Sequence, residues 1–309
     1  MISPEHCEIL KDPLSNFSAD KKKDEFLLMK DGSLIQVLDH DIPLFAEKAI
    51  SHDAQVQQKH YDKVATNYMT NLGYPHTQEY HAYLDQVLLN QVLEAKLGKV
   101  AEICCGHADA FSLVKDRTEL GVGVDISTAM LMHAKSRFNT NKILFVQGDA
   151  TQLPLTSESF DHVFMLGGIH HVLDRKSLFS EIQRILKPGG KFFFREPVSD
   201  FIVWKALRGI IYRLSPGLSY ETEAPLHYSS TKFDLESSHL KLKFWHTYGF
   251  LGFCLFMNSD ILIFNRLFRF IPGIRSITRF FTRLDDWTGR IPGLSKMGLQ
   301  VIGVAVKPD

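Results

Sequence analysis

The sequence is short of cysteine, of net charge and of long apolar runs, and each shortage removes a class of function. Four cysteines occur in 309 residues: Cys7, Cys104, Cys105 and Cys254. Two of them are adjacent in an apolar run, which suits packing in a reducing compartment rather than a disulfide framework. Lysine plus arginine equals aspartate plus glutamate at 35 each, so no global field draws the chain to nucleic acid. The longest uninterrupted apolar run, 248–257, is about half of the ~20 residues that a spanning helix needs. The opening MISPEHCEILKDPLS has no apolar stretch preceded by positive charge, so it does not read as a signal peptide and the expected location is cytoplasmic. There is no internal repeat or low-complexity tract.

What is present centres on residues 99–125, KVAEICCGHADAFSLVKDRTELGVGVD. Val100, Ile103 and the two cysteines suit a strand buried on both faces, Gly106 ends it in a sharp turn, and a helix follows over about 108–117. Residues 120–124 form a second apolar run with Asp125 at its carboxyl end. A right-handed strand-helix-strand crossover places Asp125 beside the first turn, in the crevice where open α/β sheets bind ligands. A carboxylate there accepts hydrogen bonds from ribose hydroxyls. The turn has one glycine, not the G-x-G-x-x-G that lets a pyrophosphate approach, which disfavours a nicotinamide dehydrogenase.

Further strands are expected over 142–146, 160–166 and 191–197, and a Ser/Thr cap opens a helix after Ile126 that runs to about Arg137. Pro188-Gly-Gly190 is a helix stop followed by a reversal. Residues 248–256 and 299–306 read as the last two strands. Strands alternating with helices make a doubly wound, mostly parallel α/β sheet of seven strands.

Glu102-Ile-Cys-Cys-Gly106-His-Ala108 resembles the first motif of class I S-adenosylmethionine-dependent methyltransferases, acidic-x-G-x-G-x-G, with Cys104 and Ala108 in place of the outer glycines. The F-D-x-V run from Phe160 with His170-His171, followed by Leu186-Lys-Pro-Gly-Gly190, closely resembles blocks of the methyltransferases that include the quinone C-methyltransferases. The resemblance implies sheet order 3-2-1-4-5-7-6 and S-adenosylmethionine as cofactor. It places Glu102, Cys104, Gly106 and Asp125 at the cofactor, Ile126 and Met130 against the adenine, Asp149 at the adenine amino group, Ala150 nearby, and Leu166 in the same set. The stretch 60–68 is similar to a Y-D-x-x-A-x-x-Y helix whose aromatic residues close over the cofactor, making Tyr61 and Tyr68 lid candidates.

Residues 1–47 read as a small N-terminal module, and 48–309 as the methyltransferase domain with insertions at about 198–243 and 260–293. The module's ending, 34–45, resembles zinc ribbons of the tRNA-methyltransferase activator type. Leu10 stands where the partner of Cys7 would be, so no metal is expected. Within the first insertion a helix is expected over 201–214 and a polar loop over 220–228.

Methyl transfer from a sulfonium needs mainly in-line positioning. Where a base is required, the candidates are His170, His171, Glu196 and His227, with Glu223 beside them. Of 23 phenylalanines, 14 lie at or after Phe192, and 261–290 holds six arginines against two aspartates. Ile274, Ile277, Phe281 and Leu284 recur on one helical face, with Arg275, Arg279 and Arg283 on the opposite one. That pattern fits a helical cap packed on the sheet, or a cap over a lipophilic small-molecule acceptor with its basic face on an anionic membrane. The expected activity is methylation of such an acceptor; the alternative is a cofactor-binding regulatory protein of the same fold without turnover.

Overall fold

The computed structural model describes the chain apart from residues 1, 39–40, 48–49, 139, 202–203, 206–223, 257–262, 292–293 and 295, and apart from the side chains of 47, 64, 67–68 and 263–265. Most of the helix expected over 201–214, much of the loop over 220–228, Glu223 and the Tyr68 side chain lie outside the described residues.

The first residues form α1 (Pro4–Ile9), β1 (Ala19–Lys23), β2 (Phe26–Met29), β3 (Leu34–Leu38) and β4 (Ile42–Pro43), an antiparallel four-stranded sheet. Burial alternates along β3, with Ile35 and Val37 inward and Leu34 and Gln36 outward. These inward residues do not close a core of their own. Ile9, Leu10, Leu27, Ile35 and Phe45 belong to one continuous apolar cluster with Leu153, Leu155 and the main sheet. Leu10 bridges to Leu155, and Leu44 bridges in parallel to Gln147, so the edge of the main sheet is covered.

Two helices follow, α2 (His52–Leu72) and α3 (Pro75–Leu89). Then come β5 (Gly98–Ile103), α4 (Asp109–Val114), β6 (Thr118–Asp125), α5 (Thr128–Arg137), β7 (Ile143–Gln147), β8 (Phe160–Leu166), α6 (Arg175–Ile185) and β9 (Leu186–Pro197). β7, β6, β5, β8 and β9 pair in parallel in that spatial order. The chain continues through α7 (Tyr228–Ser237), β10 (Lys241–Tyr248), α8 (Leu251–Phe256), a 3-10 turn over Ile263–Phe270, α9 (Ile274–Thr288) and β11 (Gln300–Val306). β11 lies antiparallel between β9 and β10, which completes the expected order 3-2-1-4-5-7-6. The parallel strands are buried along nearly their whole length, as helices on both faces require.

Two expectations fail in the carboxyl-terminal third. The sixth strand is Lys241–Tyr248, and the apolar run after it is the helix α8. A short run apolar on every side fits a buried helix as well as a strand, and here the Asp285 carboxylate decides by accepting the N–H groups of Leu251 (3.0 Å) and Gly252 (2.7 Å) at the helix start. On α9 the buried residues are Ile274, Thr278, Thr282 and Asp285, while Ile277 is exposed. The helix is therefore rotated from the expected setting, because Asp285 must face α8. Beneath it, Ile274 and Phe281 pack with Tyr80, Leu84, Phe253 and Phe256, filling the space between cap and α3.

Candidate active site

The cleft forms where β5, β6, β7 and β8 end. Strand β5 leaves Ile103 into a turn in which Cys104, Gly106 and Ala108 have φ of +50°, +51° and +67°. These are the three glycine positions of the motif, so the left-handed backbone persists although two of them carry a Cβ. Left-handed geometry at a non-glycine residue costs about 1–3 kcal/mol. Cys105 N–H to Val124 O (3.0 Å) and Ala108 N–H to Cys105 O (2.7 Å) hold the turn in place.

Glu102 sits beneath the turn and outside the cleft. Its two oxygens accept the N–H groups of Ala110 (2.8 Å) and Phe111 (3.0 Å), fixing the first turn of α4. Burial pushes its carboxyl up to about 8, against the pull of those amides. It shapes the turn and does not face a ligand there.

Asp125 ends β6 as expected. Its Oδ2 accepts the Gly106 N–H (2.7 Å) and its Oδ1 the Ser127 N–H (2.9 Å). Burial raises its pKa, with these amides opposing. The Ile126 backbone amide bonds to it as well; an ionised carboxylate has about four acceptor sites, so capacity remains for a ribose hydroxyl. Asp149 is more heavily used: Oδ2 accepts the Ser51 N–H (2.8 Å), and Oδ1 accepts the Thr151 N–H (2.8 Å) and hydroxyl (2.7 Å). One acceptor site remains, which suits a single amino-group contact. Ile126, Met130, Ala150 and Leu166 line the same cleft, whose volume is about 910 Å³ with its open mouth included. Two carboxylates with unfilled acceptor sites around an apolar slot fit an adenosyl group, and a Cβ on Gly106 would lie 3.3 Å from the Met130 methyl.

Tyr61, on α2, reaches the mouth of the cleft, where its hydroxyl lies 2.8 Å from His171 Nε2. Asp62 anchors the same helix by accepting the Ser127 hydroxyl at 2.5 Å. Among the described candidates, His171 is the one that lines the cleft. Glu196 is fully buried and accepts N–H groups of Gly168 (2.7 Å), Ile169 (2.8 Å) and His170 (3.4 Å), and lies 2.8 Å from His170 Nδ1. Its acceptor sites are spent on bracing the loop after β8, and His170 is held with it. His227 precedes α7 and pairs with Asp200 at 3.4 Å, outside the cleft lining.

Sequence reasoning missed Ser51, Ala54 and Gln57, which line the cleft from the first turns of α2, and Gly167 and Gly168 after β8. Ser51 was detectable as an N-cap, since its hydroxyl accepts the Ala54 N–H at 3.2 Å. Also missed was a polar group behind the turn. Arg195 on β9 ion-pairs with Asp85 on α3, close to His81, and Asp109 lies 2.8 Å from His107 Nε2. Burial pushes the Asp109 carboxyl up, but the His107 hydrogen bond and the charges of His107, His81 and Arg195 outweigh it and hold the carboxyl low. Asp109 lines the cleft.

Residues 101–194 match the methyltransferase domain family. The chain is 31% identical over 136 residues to the demethylmenaquinone methyltransferase of Staphylococcus carnosus, covering 43% of this chain and 56% of that protein. It is 31% identical over 136 residues to the phthiotriol/phenolphthiotriol dimycocerosates methyltransferase of Mycobacterium tuberculosis, covering 42% and 48%. The chain spans about half the length of these relatives. Among solved structures, a chain of the complex between the Haloferax volcanii Trm112 methyltransferase activator and a methyltransferase aligns with TM-score 0.56 at 18% identity, covering 82% of this chain and 97% of that one. Phosphoethanolamine N-methyltransferase 2 of Haemonchus contortus, solved with S-adenosyl-L-methionine, aligns with TM-score 0.55 at 18% identity, covering 85% and 61%. These structural likenesses are likenesses of fold. The methyltransferase domain family matches the segment that builds the cleft, and the strand order is that of the class I S-adenosylmethionine-dependent methyltransferase fold.

Proposed function

We propose that the protein transfers the methyl group of S-adenosylmethionine to a small lipophilic acceptor by direct in-line attack. The observation that carries this reading is the pair Asp125 and Asp149, each with unfilled acceptor capacity, at the ends of neighbouring strands in a cleft also lined by Ile126, Met130 and Leu166. Loss of two glycines in the motif would favour a fold without turnover. The left-handed backbone kept at Cys104 and Ala108 supports the reading with turnover.

When bound, S-adenosylmethionine supplies a methyl group already activated for attack. The chain's own residues do the rest by position. Asp125 holds the ribose hydroxyls, Asp149 the adenine amino group, and the turn of Cys104, Gly106 and Ala108 passes alongside. Alignment of this kind can lower the barrier by roughly 7–11 kcal/mol. Tyr61 and His171 close the mouth and exclude water. For a hydroxyl or carbon-acid acceptor we assign His171 as the proton acceptor, worth a factor of about a hundred to ten thousand.

The lipophilic acceptor is supported by the relatives, which are named for demethylmenaquinone and for dimycocerosates. Incubating the protein with methyl-labelled cofactor and a cell lipid extract tests it. Label in an organic-soluble product supports the reading, and label confined to water-soluble product removes the lipophilic part. Absence of transfer despite cofactor binding by calorimetry removes the activity.

A further inference from the structure

The carboxyl-terminal cap leaves large apolar side chains in solvent. Leu267 and Phe270 are 64% and 69% exposed, and on α9 Phe280 and Trp287 are 62% and 63% exposed. Phe280 and Trp287 stand two helical turns apart on one stripe, flanked by the partly exposed Ile277 and Ile291. This is the face turned away from Ile274, Thr278, Thr282 and Asp285.

Charge on the cap is one-sided in the same direction. The whole chain balances 35 basic against 35 acidic residues, yet 261–290 holds six arginines and two aspartates. Both aspartates are turned inward: Asp285 caps α8, and Asp286 accepts the Tyr83 hydroxyl. Arg275 and Arg279 share Glu79 of α3, at 3.6 and 2.5 Å. Arg283 is exposed, and like Arg290 its side chain has no ion-pair or hydrogen-bond partner among the described residues. The outer surface of α9 thus combines an apolar aromatic stripe with the adjacent guanidinium groups of Arg283 and Arg290, while Asp285 and Asp286 are engaged by α8 and Tyr83.

We propose that this face docks the protein on an anionic lipid bilayer. Phe280 and Trp287 enter the boundary between headgroups and acyl chains, and Arg283 and Arg290 lie beside lipid phosphates. The charge asymmetry selects this occupant, because a surface rich in phosphate anions satisfies every unpaired arginine while burying the aromatic stripe. No described helix is long and apolar enough to cross a membrane, so contact of this kind is peripheral. The cap packs at Leu299 and Tyr248, at the same end of the sheet as the cleft. Delivery of an acceptor from bilayer to cleft would rest on the lipophilic-acceptor reading above; the docking does not.

Co-sedimentation of the full chain with phosphatidylcholine vesicles, with and without half phosphatidylglycerol, tests the proposal. Binding is expected to the mixed vesicles at low salt, together with a blue shift of emission that Trp287→Phe removes. Arg283→Gln with Arg290→Gln should weaken binding about thirtyfold at low salt and far less in molar salt. Phe280→Ser with Trp287→Ser should weaken it at both, with the melting temperature of each variant unchanged. Failure to bind anionic vesicles, or binding that neither pair of substitutions weakens, overturns the proposal. So does a concentration-dependent dimer abolished by Phe280→Ser without vesicle binding, which would assign the face to a second copy of the chain. Methyl transfer to a detergent-dispersed acceptor is unaffected by failure here.

Discussion

A Cβ placed on Gly168 would stand 2.5 Å from the Cβ of Cys104. The exit of β8 and the first turn are therefore in backbone-to-side-chain contact across the cleft floor, and the cysteine occupies the space a larger residue at 168 would need. Gly168→Ala should destabilise the fold by about 1–3 kcal/mol through overpacking. Adding Cys104→Gly should restore much of that loss, and urea unfolding of both single variants and the double variant measures the coupling.

Asp125→Ala should weaken S-adenosylmethionine binding about tenfold to a hundredfold, since hydrogen bonds to a charged group contribute about 1.5–3 kcal/mol. It also releases the Gly106 and Ser127 amides, so stability should fall with it. Calorimetric titration checks the affinity; an unchanged dissociation constant would sink the ribose assignment.

Glu196→Gln separates a brace from a base. The side chain accepts several N–H groups, so the amide should lower stability by about 1–3 kcal/mol and lower turnover without changing the shape of the pH profile. Loss of an acidic limb from that profile at unchanged melting temperature would instead make Glu196 the proton acceptor.

Tyr61→Phe removes the hydroxyl that meets His171. Cofactor dissociation measured by stopped flow should quicken several-fold, about what one net hydrogen bond of ~1 kcal/mol supports. An unaltered rate would mean that α2 does not close the mouth through this contact.

His81 gives a pH dependence of known sign. Burial, and then the neighbouring Arg195 charge, push its pKa from 6.5 down to about 4. Between those values the unfolded chain holds a proton that the folded chain lacks, so stability is present above 6.5 and is lost as pH falls toward 4. The drop attributable to His81 should be about 1–3 kcal/mol, and thermal melts of wild type and His81→Gln between pH 7 and 4.5 should diverge by that amount.

Strand-forming runs and their turn residues were legible because each carries its own local chemistry: Gly106 for a left-handed turn, Ser127 for a cap, Pro188-Gly-Gly190 for a stop. Asp125 was legible because a strand end in a right-handed crossover has one place to go. Glu102 was misjudged because a carboxylate beneath a helix start and one facing a ligand leave the same trace in a motif. The setting of α9 was missed because its buried face is mostly polar, built from Thr278, Thr282 and Asp285 beside Ile274, and apolar periodicity cannot see a face chosen by a carboxylate cap. The Arg195, Asp85 and Asp109 group joins residues from α3, β9 and α4, a juxtaposition that only the fold creates.

The bridge from Leu10 to Leu155, with Lys11 N–H donating to Pro154 O at 3.1 Å, sets a schedule for synthesis. The first strands leave the ribosome long before their packing partners exist, since Leu153 and Leu155 follow more than 110 residues later. At roughly 5–20 residues per second, this nascent segment must wait about six to thirty seconds with Ile9, Leu27 and Ile35 uncovered. Slow translation between residues 50 and 150 should therefore raise chaperone dependence, and a version lacking the amino-terminal sheet would leave Leu153, Leu155 and the β7 edge open to aggregation.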